Sequence, residues 1–280
     1  MIGKELYDHV SIQCSKLTTK SYSTSFSLGI FCLEKELRNP IYSIYGFVRF
    51  ADEIVDTFHD YDKRLLLDRF QSDTYQAIDE KISLNPILNS FQHTVNTYAI
   101  DQELIRQFLH SMEMDLDTKK HNKNSFEEYI LGSAEVVGLM CLKVFCKGDQ
   151  MMYEKLKPMA MKLGSAFQKI NFLRDLNADY KSMGRSYFPG IDLNTFDDTC
   201  KKEIEAQIAA DFHEGYLGIK QLPKGAKFGV YIAYLYYQAL FKKIKNIPSE
   251  FVMKERIRVR NRQKFSILFL SYVKYQLNLI

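Results

Sequence analysis

Two pairs of aspartates, each four residues apart, are the residues of this sequence best suited to chemistry. Asp52 and Asp56 form the first pair, and Asp175 and Asp179 form the second. On a helix that turns about 100° per residue, side chains four positions apart project from the same face. Carboxylate oxygens on facing helices suit Mg²⁺, which keeps several waters and is usually shared with substrate phosphates.

Each pair shares its helix face with further polar residues and is flanked by apolar ones. Tyr45 and Arg49 lie on the stripe of the first pair. The second pair is accompanied by Gln168, Asn171 and Arg174, and Arg185 follows it. One such pair is expected by chance in a chain of this length and more often marks a solvated face. Two pairs in apolar settings favour a function, and arginines bind phosphate oxygens bidentately. The pattern predicts Mg²⁺-assisted loss of diphosphate from an organic substrate.

The elements that position these residues are predicted to be helices, because apolar residues recur at three- and four-residue spacing. Asn39 and Pro40 resemble a helix start, with the helix running through Phe58. Pro158 is a candidate break in its segment. The other predicted helices are 62–82, 86–99, 101–116, 125–147, 150–182, 196–221, 225–245 and 249–277, with a loop at 182–190. The fold class is therefore all-α, with one domain spanning 1–280.

Composition excludes several classes of protein. The 280 residues are 46% hydrophobic and 26% charged, which excludes a disordered or low-complexity chain. A net charge of +4 is too small to indicate a nucleic-acid binder. Five scattered cysteines without a CxxC pair indicate reduced cytosolic thiols. No signal peptide is evident, and the longest apolar run, about 229–241, is shorter than the ~20 residues of a membrane span. P-loop and dinucleotide-binding fingerprints are missing.

Two further features have ordinary interpretations. Asp115 and Asp117 resemble the start of a calcium loop, but Lys119 and Lys120 occupy positions that such a loop needs for other residues. The basic strip 254–264 is best interpreted as a solvated helix start, with attraction to anionic lipid as the alternative. Arg256 is the exception in this strip, as a candidate diphosphate contact.

Five elements of the sequence resemble the squalene/phytoene synthase family, the head-to-head isoprenyl diphosphate synthases. Ser23 to Phe26 resembles the N-terminal element, with Ser25 as its second serine. The run from Tyr42 to Asp56 resembles the first aspartate motif. Residues 129–140 resemble the central helix element, and the run from Leu163 to Pro189 resembles the second aspartate motif. Glu255 and Arg256 resemble a C-terminal element of the family.

This resemblance implies an isoprenoid-synthase helical bundle around a central cavity, with three Mg²⁺ ions between the aspartate motifs. The implied metal ligands are Asp52, Asp56, Asn171, Asp175 and Asp179. The implied catalytic residues are Tyr45, Arg49, Asp52, Asp56, Asp175, Asp179 and Tyr187. The implied substrate-binding residues are Ser23, Ser25, Tyr129, Gln168, Asn171, Arg174, Arg185, Tyr237 and Arg256.

Two residues depart from the family pattern. Glu53 stands where the family usually has a second aspartate. Glu135 stands where the family usually has a glycine, so it places a charge at an expected close backbone approach. The resemblance leaves the roles of both open.

The implied reaction joins two allylic diphosphates through a cyclopropylcarbinyl diphosphate. We expect two C20 substrates and phytoene as product, in carotenoid biosynthesis and without NADPH. The alternatives are a C30 enzyme that uses two farnesyl diphosphates, giving dehydrosqualene or squalene, and a non-catalytic helical binding protein. A nucleic-acid partner is not expected. We also expect a cytoplasmic monomer that associates peripherally with the inner membrane surface.

Overall fold

Two long helices carry the predicted aspartate pairs. The computed structural model describes residues 3–117, 121–178, 187–189, 196–252 and 256–277. In it, α3 spans Lys35–Asp56 and α9 spans Gln150–Ala178. The other helices are α1 (Lys4–Tyr22), α2 (Thr24–Phe31), α4 (Lys63–Glu80), α5 (Pro86–Tyr98), α6 (Gln102–Asp117), α7 (Lys123–Ile130), α8 (Val136–Cys146), α10 (Asp198–Gln221), α11 (Lys224–Lys245), α12 (Ser249–Val252) and α13 (Asn261–Gln276). No strand occurs within those ranges, so the all-α prediction is confirmed.

Helix α3 begins earlier than predicted, and the prediction of a start at Asn39 and Pro40 is wrong. Pro40 lies inside the helix and has no N–H for the carbonyl of Glu36. Glu36 is exposed, so water can satisfy that carbonyl, and Leu37 is buried on the same turn. Burial of Leu37 therefore outweighs the lost backbone hydrogen bond.

Helix α9 also contains a proline without ending there. Pro158 lies on the exposed side of α9, and Glu154, whose carbonyl loses its partner, is exposed as well. The predicted break at Pro158 is therefore wrong. The uninterrupted helix packs between α8 and α10 and carries Gln168 through Asp175 along one line.

The N-terminal helices α1 and α2 were not predicted from apolar periodicity. The buried face of α1 consists of Ser11, Ser15 and Thr19, which repeat every four residues. Ser15 lies so close to α3 that a Cβ on Gly46 would stand 2.8 Å from its hydroxyl oxygen. The Ser15 and Ser90 hydroxyls are 2.6 Å apart, which satisfies both buried groups. Small polar side chains thus allow α1 to pack closely against α3 and α5.

Two predicted single helices are divided in the structure. Between α7 and α8 the backbone forms a π-helical turn, Leu131–Glu135. The predicted helix 249–277 consists of α12 and α13, and residues 256–260 between them are not helical. Within the predicted loop 182–190, residues 182–186 and 190 lie outside the described residues.

The buried apolar residues form two main clusters. The larger joins α3 to α6 with α8, and Phe47 stacks on Phe91 with ring centroids 3.8 Å apart. The second joins α7, the second half of α9, α10 and α11. One described stretch, Lys123–Cys146, has the length and hydropathy of a membrane span, but half of its most apolar window is buried in the protein.

Candidate active site

A cavity of about 480 Å³ lies between the two apolar clusters and is polar at one end. Most of its walls come from α2, α3, α8, α9, α10 and α11. Asp52 and Asn171 line it near the C-terminal ends of α3 and α9. Ile41 and Leu156 line it 11 and 15 residues earlier on the same helices, which is about 16 and 22 Å away along them. The cavity is therefore a long apolar space with a polar mouth.

The first carboxylate row is held by Arg49 on the preceding turn of α3. The Arg49 guanidinium contacts Glu53, and its Nη1 is 3.6 Å from Asp52 Oδ2. The Tyr22 ring lies under this guanidinium, 4.4 Å from ring centroid to Cζ. Glu53 therefore binds Arg49 here. Burial, then the charge of Asp56, raises the pKa of Asp52 to about 7.

A third carboxylate, Asp115, joins this row from α6. Its side chain is buried and accepts a hydrogen bond of 2.7 Å from the Tyr129 hydroxyl. The Tyr187 hydroxyl lies 3.4 Å from its other oxygen. The negative charge of Asp115 also raises the pKa of Asp52. Asp115 was not among the predicted site residues, and the structure adds it to the acidic group around Asp52.

The second carboxylate row lies on α9, where two arginines bind Asp175. Arg174 Nη2 is 2.5 Å from Asp175 Oδ2, and Arg256 Nε is 2.7 Å from Oδ1. Arg256 is 81 residues away in sequence, so the chain after α12 returns to the mouth of the cavity. Asp179 and Arg185 lie outside the described residues.

Polar contacts connect α9 to its neighbours at the mouth. The Tyr237 hydroxyl donates to Asn171 Oδ1 at 3.3 Å. Gln168 Nε2 donates to the Ser133 hydroxyl on the π-helical turn at 3.2 Å. Gly164 allows this close approach, because a Cβ there would stand 2.8 Å from the carbonyl oxygen of Ala134.

Four aromatic rings line the cavity directly below its polar mouth. Phe26 lies 5.7 Å from Tyr45 and 5.9 Å from Tyr237, centroid to centroid. Phe167 stacks on Tyr237 at 4.0 Å. Burial raises the pKa of Tyr45 to about 12 and also raises that of Tyr237, so both phenols stay neutral. Aromatic faces attract cations, which gives this part of the cavity a means of stabilising positive charge.

The structure brings most predicted site residues to the cavity. Those that line it are Ser23, Tyr45, Arg49, Asp52, Tyr129, Gln168, Asn171, Arg174, Tyr237 and Arg256. Asp56 and Asp175 lie next to lining residues on α3 and α9. Ser25, half-buried on α2, does not line the cavity. Tyr187 is buried behind Tyr129 and stacks on Phe172 at 4.1 Å.

Glu135, the second departure from the family pattern, is the last residue of the π-helical turn. It lies near Lys162 and Lys169 of α9. Burial raises its pKa to about 7, against the opposing influence of Lys162. Asp211 of α10 lies beyond these lysines, and its carboxylate oxygen is 2.6 Å from Lys169 Nζ. Glu135 is therefore half-buried beside a group of charges and does not line the cavity.

The oxygen donors at the mouth fit Mg²⁺. Burial, and then the negative charges of Asp56 and Asp115, raise the pKa of Asp52, and a divalent cation would offset this accumulation of negative charge. In the described part of the chain, no three such side chains converge as a complete metal site. A cation held at the mouth would complete its shell with water and phosphate oxygens. Asp52, Asp56 and Asp175 would hold it.

The fold and the site together define an all-helical protein with an apolar cavity and carboxylates at the mouth of that cavity. Residues 19–263 match the family model described as squalene/phytoene synthase. The chain belongs to the squalene/phytoene synthase family.

Curated relatives agree with this membership. Phytoene synthase 1 of Zea mays is 26% identical over 272 residues, which cover 86% of this chain and 62% of that protein. The 4,4'-diapophytoene synthase of Staphylococcus haemolyticus is 25% identical over 194 residues, which cover 69% of this chain and 67% of that protein. The chain thus spans 62% and 64% of the two phytoene synthases from maize and carrot.

Solved structures share the fold. A crystal structure of a dehydrosqualene synthase in complex with a ligand superposes with a TM-score of 0.80 at 19% identity, covering 96% of this chain and 98% of that one. A squalene synthase from Alicyclobacillus acidocaldarius has a TM-score of 0.76 at 20% identity, covering 87% and 95%.

Proposed function

We propose that this protein is a prenyltransferase that condenses two allylic prenyl diphosphates head to head and releases diphosphate. The observation that carries the proposal is the polarity of the cavity. Carboxylates and arginines occupy one end only, and the rest of the wall is apolar. A substrate with a diphosphate head and a hydrocarbon tail has the matching distribution of polarity.

The roles of the side chains follow from their positions at the mouth. Arg49, Arg174 and Arg256 would bind the oxygens of the departing diphosphate. Mg²⁺, when bound by the carboxylates, supplies Lewis-acid stabilisation of that leaving group. The neutral faces of Tyr45 and Tyr237 would stabilise the allylic cation without capturing it. The double bond of the second substrate then attacks the cation, and loss of a proton closes the ring to give a cyclopropylcarbinyl diphosphate. This intermediate loses its diphosphate and the resulting cation rearranges.

We favour two geranylgeranyl diphosphates as substrates and phytoene as product. This preference rests on the phytoene synthases of maize, carrot and tomato, whose similarity extends over 86–96% of the chain. A specific observation favours the alternative of two farnesyl diphosphates, namely the similarity to a 4,4'-diapophytoene synthase. The expected final step is proton loss, so NADPH is not required.

The remaining features of the proposal concern the whole chain. Both aspartate helices border one cavity, which supports a single domain over 1–280. We propose three Mg²⁺ ions per site, a monomer, and a cytoplasmic location with peripheral attachment to a membrane. Asp179 and Arg185 belong to this proposal as a metal ligand and a diphosphate ligand.

The test is to incubate the purified protein with Mg²⁺ and either C15 or C20 allylic diphosphate, with and without NADPH. Products are identified by mass spectrometry, and released diphosphate is counted. A C40 hydrocarbon formed equally without NADPH supports the proposal. A C30 product would move the assignment to the alternative, and a product that needs NADPH would indicate squalene formation.

A matched pair of variants identifies the site. Asp52→Asn removes a cavity carboxylate with almost no change in volume and should lower turnover by orders of magnitude. Asp68→Asn makes the same change on the exposed face of α4 and should have no effect. If the folded wild-type protein releases diphosphate from neither the C15 nor the C20 substrate, the non-catalytic alternative holds.

A further inference from the structure

Helix α13 exposes a large apolar surface on its outer face. Six large hydrophobic side chains between 265 and 277 are 42–68% exposed, namely Phe265, Phe269, Leu270, Tyr272, Val273 and Leu277. They make up about a third of the exposed large hydrophobic residues in the described part of the chain. Such a contiguous patch usually marks an interaction surface.

The opposite face of α13 is already packed, so the exposed side chains cannot turn inward. Ile267, Leu268 and Tyr275 contact the cluster of Phe228 and its neighbours on α11. The rings of Tyr275 and Phe228 lie 4.7 Å apart. The Tyr236 hydroxyl donates to the carbonyl of Lys264 at 3.1 Å, which anchors the first turn of α13. The helix therefore has two apolar faces, and among the described residues only one of them has a partner within the protein.

A groove of about 600 Å³ runs between α11 and α13 beside this outer face. Its apolar lining includes Leu235, Ile267 and Leu270. Its basic lining is Lys242, Lys243 and Lys274. Positive charge therefore borders the apolar surface along one side.

Acidic residues are rare in this region, where Glu250 and Glu255, between α11 and α13, are the exceptions. Residues 224–249 contain five lysines and residues 256–277 contain six basic residues, with no aspartate or glutamate in either range. Since the full chain has a net charge of +4, the remaining residues carry a net charge of −7. The chain is thus strongly polarised, with its positive end at α11 and α13.

We propose that the outer face of α13 and the adjoining lysine groove bind the surface of an anionic phospholipid bilayer. The aromatic and aliphatic side chains would enter the boundary between headgroups and acyl chains, and the lysines would meet lipid phosphates. A symmetric dimer through this face would bring two identical basic patches together, which their repulsion opposes. Charge complementarity therefore favours lipid over a second copy.

The position of α13 relative to the cavity gives this attachment a consequence. Arg256 borders the mouth of the cavity and is five residues before Asn261, the first residue of α13. Docking of α13 would hold the mouth close to the membrane, from which an apolar-tailed substrate could enter. Binding itself does not depend on the proposed reaction and is measured without substrate.

The test is flotation of the full-length protein with vesicles of phosphatidylcholine alone or mixed with phosphatidylglycerol. Wild type should float only with the anionic vesicles and should be released by high salt. Phe269→Ser combined with Leu270→Ser should weaken binding at least ten-fold. Substituting Gln for Lys242, Lys243 and Lys274 should weaken it by about five-fold per lysine. Leu84→Ser, at a residue 94% exposed between α4 and α5, is the matched control and should not change binding.

Three outcomes would overturn the proposal. The first is wild-type protein that stays in solution with anionic vesicles at low salt. The second is a control variant that binds as weakly as the α13 variants. The third is self-association in analytical ultracentrifugation that the α13 variants abolish, which would make the face a protein interface. Circular dichroism melting of each variant establishes that it is folded, as expected for changes at exposed positions.

Discussion

Gly164→Ala tests the close approach between α9 and the π-helical turn. The added Cβ would stand 2.8 Å from the carbonyl oxygen of Ala134, 3.1 Å from its carbonyl carbon and 3.2 Å from Cα of Glu135. All three are backbone atoms, so no side chain can rotate away. The helix and the turn must therefore move apart.

The cost follows from two opposing effects. Overpacking of this kind costs about 1–3 kcal/mol. Replacing a glycine inside a helix with alanine returns about 0.5–1 kcal/mol. We expect a net destabilisation of about 1 kcal/mol, which lowers Tm by about 2–4 °C. Activity should fall further, because the displacement separates Gln168 from Ser133, and a misplacement of about 1 Å can cost roughly 100-fold in rate.

Gly138→Ala, on α8 and lining the same cavity, is the matched control. A Cβ at Gly138 would stand 3.3 Å from the carbonyl oxygen of Ala160, which a small shift can accommodate. Thermal melting gives the stability of both variants, and diphosphate release gives their turnover. If Gly164→Ala matches wild type in both, or falls no further than Gly138→Ala, close packing at Gly164 does not constrain the site.

Three further predictions concern charged and hydrogen-bonded groups. Arg256→Gln removes one of the two arginines that bind Asp175. It should raise KM for the prenyl diphosphate roughly 10- to 150-fold, which corresponds to the loss of a charged hydrogen bond of about 1.5–3 kcal/mol. Tm should stay nearly unchanged, because the Arg256 side chain is half exposed. Tyr129→Phe leaves the buried Asp115 without its 2.7 Å donor; urea unfolding should show a loss of about 1.5–3 kcal/mol, and a loss below about 0.5 kcal/mol would contradict this role. Burial raises the pKa of Glu135 to about 7, so this group makes the wild-type protein less stable as pH rises from 4.5 to 7. Asp52, whose pKa is also raised to about 7, acts in the same direction. Glu135→Gln should therefore reduce the decline without abolishing it and should be more stable than wild type above pH 7, as unfolding at a series of pH values will establish.

The local parts of the fold were predictable because they depend on one helix at a time. Apolar spacing predicted α5, α10 and α11 to within about two residues of their bounds. Helix α1 was missed because its buried face is Ser11, Ser15 and Thr19, which carries no apolar signal. The predictions at Pro40 and Pro158 are wrong because tertiary burial, which a sequence pattern does not contain, holds both helices together.

The same distinction applies to the candidate site, where contacts within one helix were predictable and contacts between distant elements were not. Residues that share a helix, such as Arg49 with Asp52, were placed together correctly by the 100° rotation alone. Contacts between distant elements came only with the structure. The pairing of Arg256 with Asp175 and the stack of Phe167 on Tyr237 are of this kind.

Asp115 was not among the predicted site residues, although its position in the sequence carries a signal that could have identified it. It follows Phe108 and Met112 at helical spacing, so it continues the apolar stripe of the helix predicted at 101–116. A carboxylate in phase with a buried stripe is costly unless other groups satisfy it. Here the Tyr129 hydroxyl does so, and the same carboxylate adds negative charge beside Asp52. The misfit between residue type and predicted burial at Asp115 is thus a sequence signal for a buried polar contact beside Asp52, and this signal does not depend on any complete metal-loop motif.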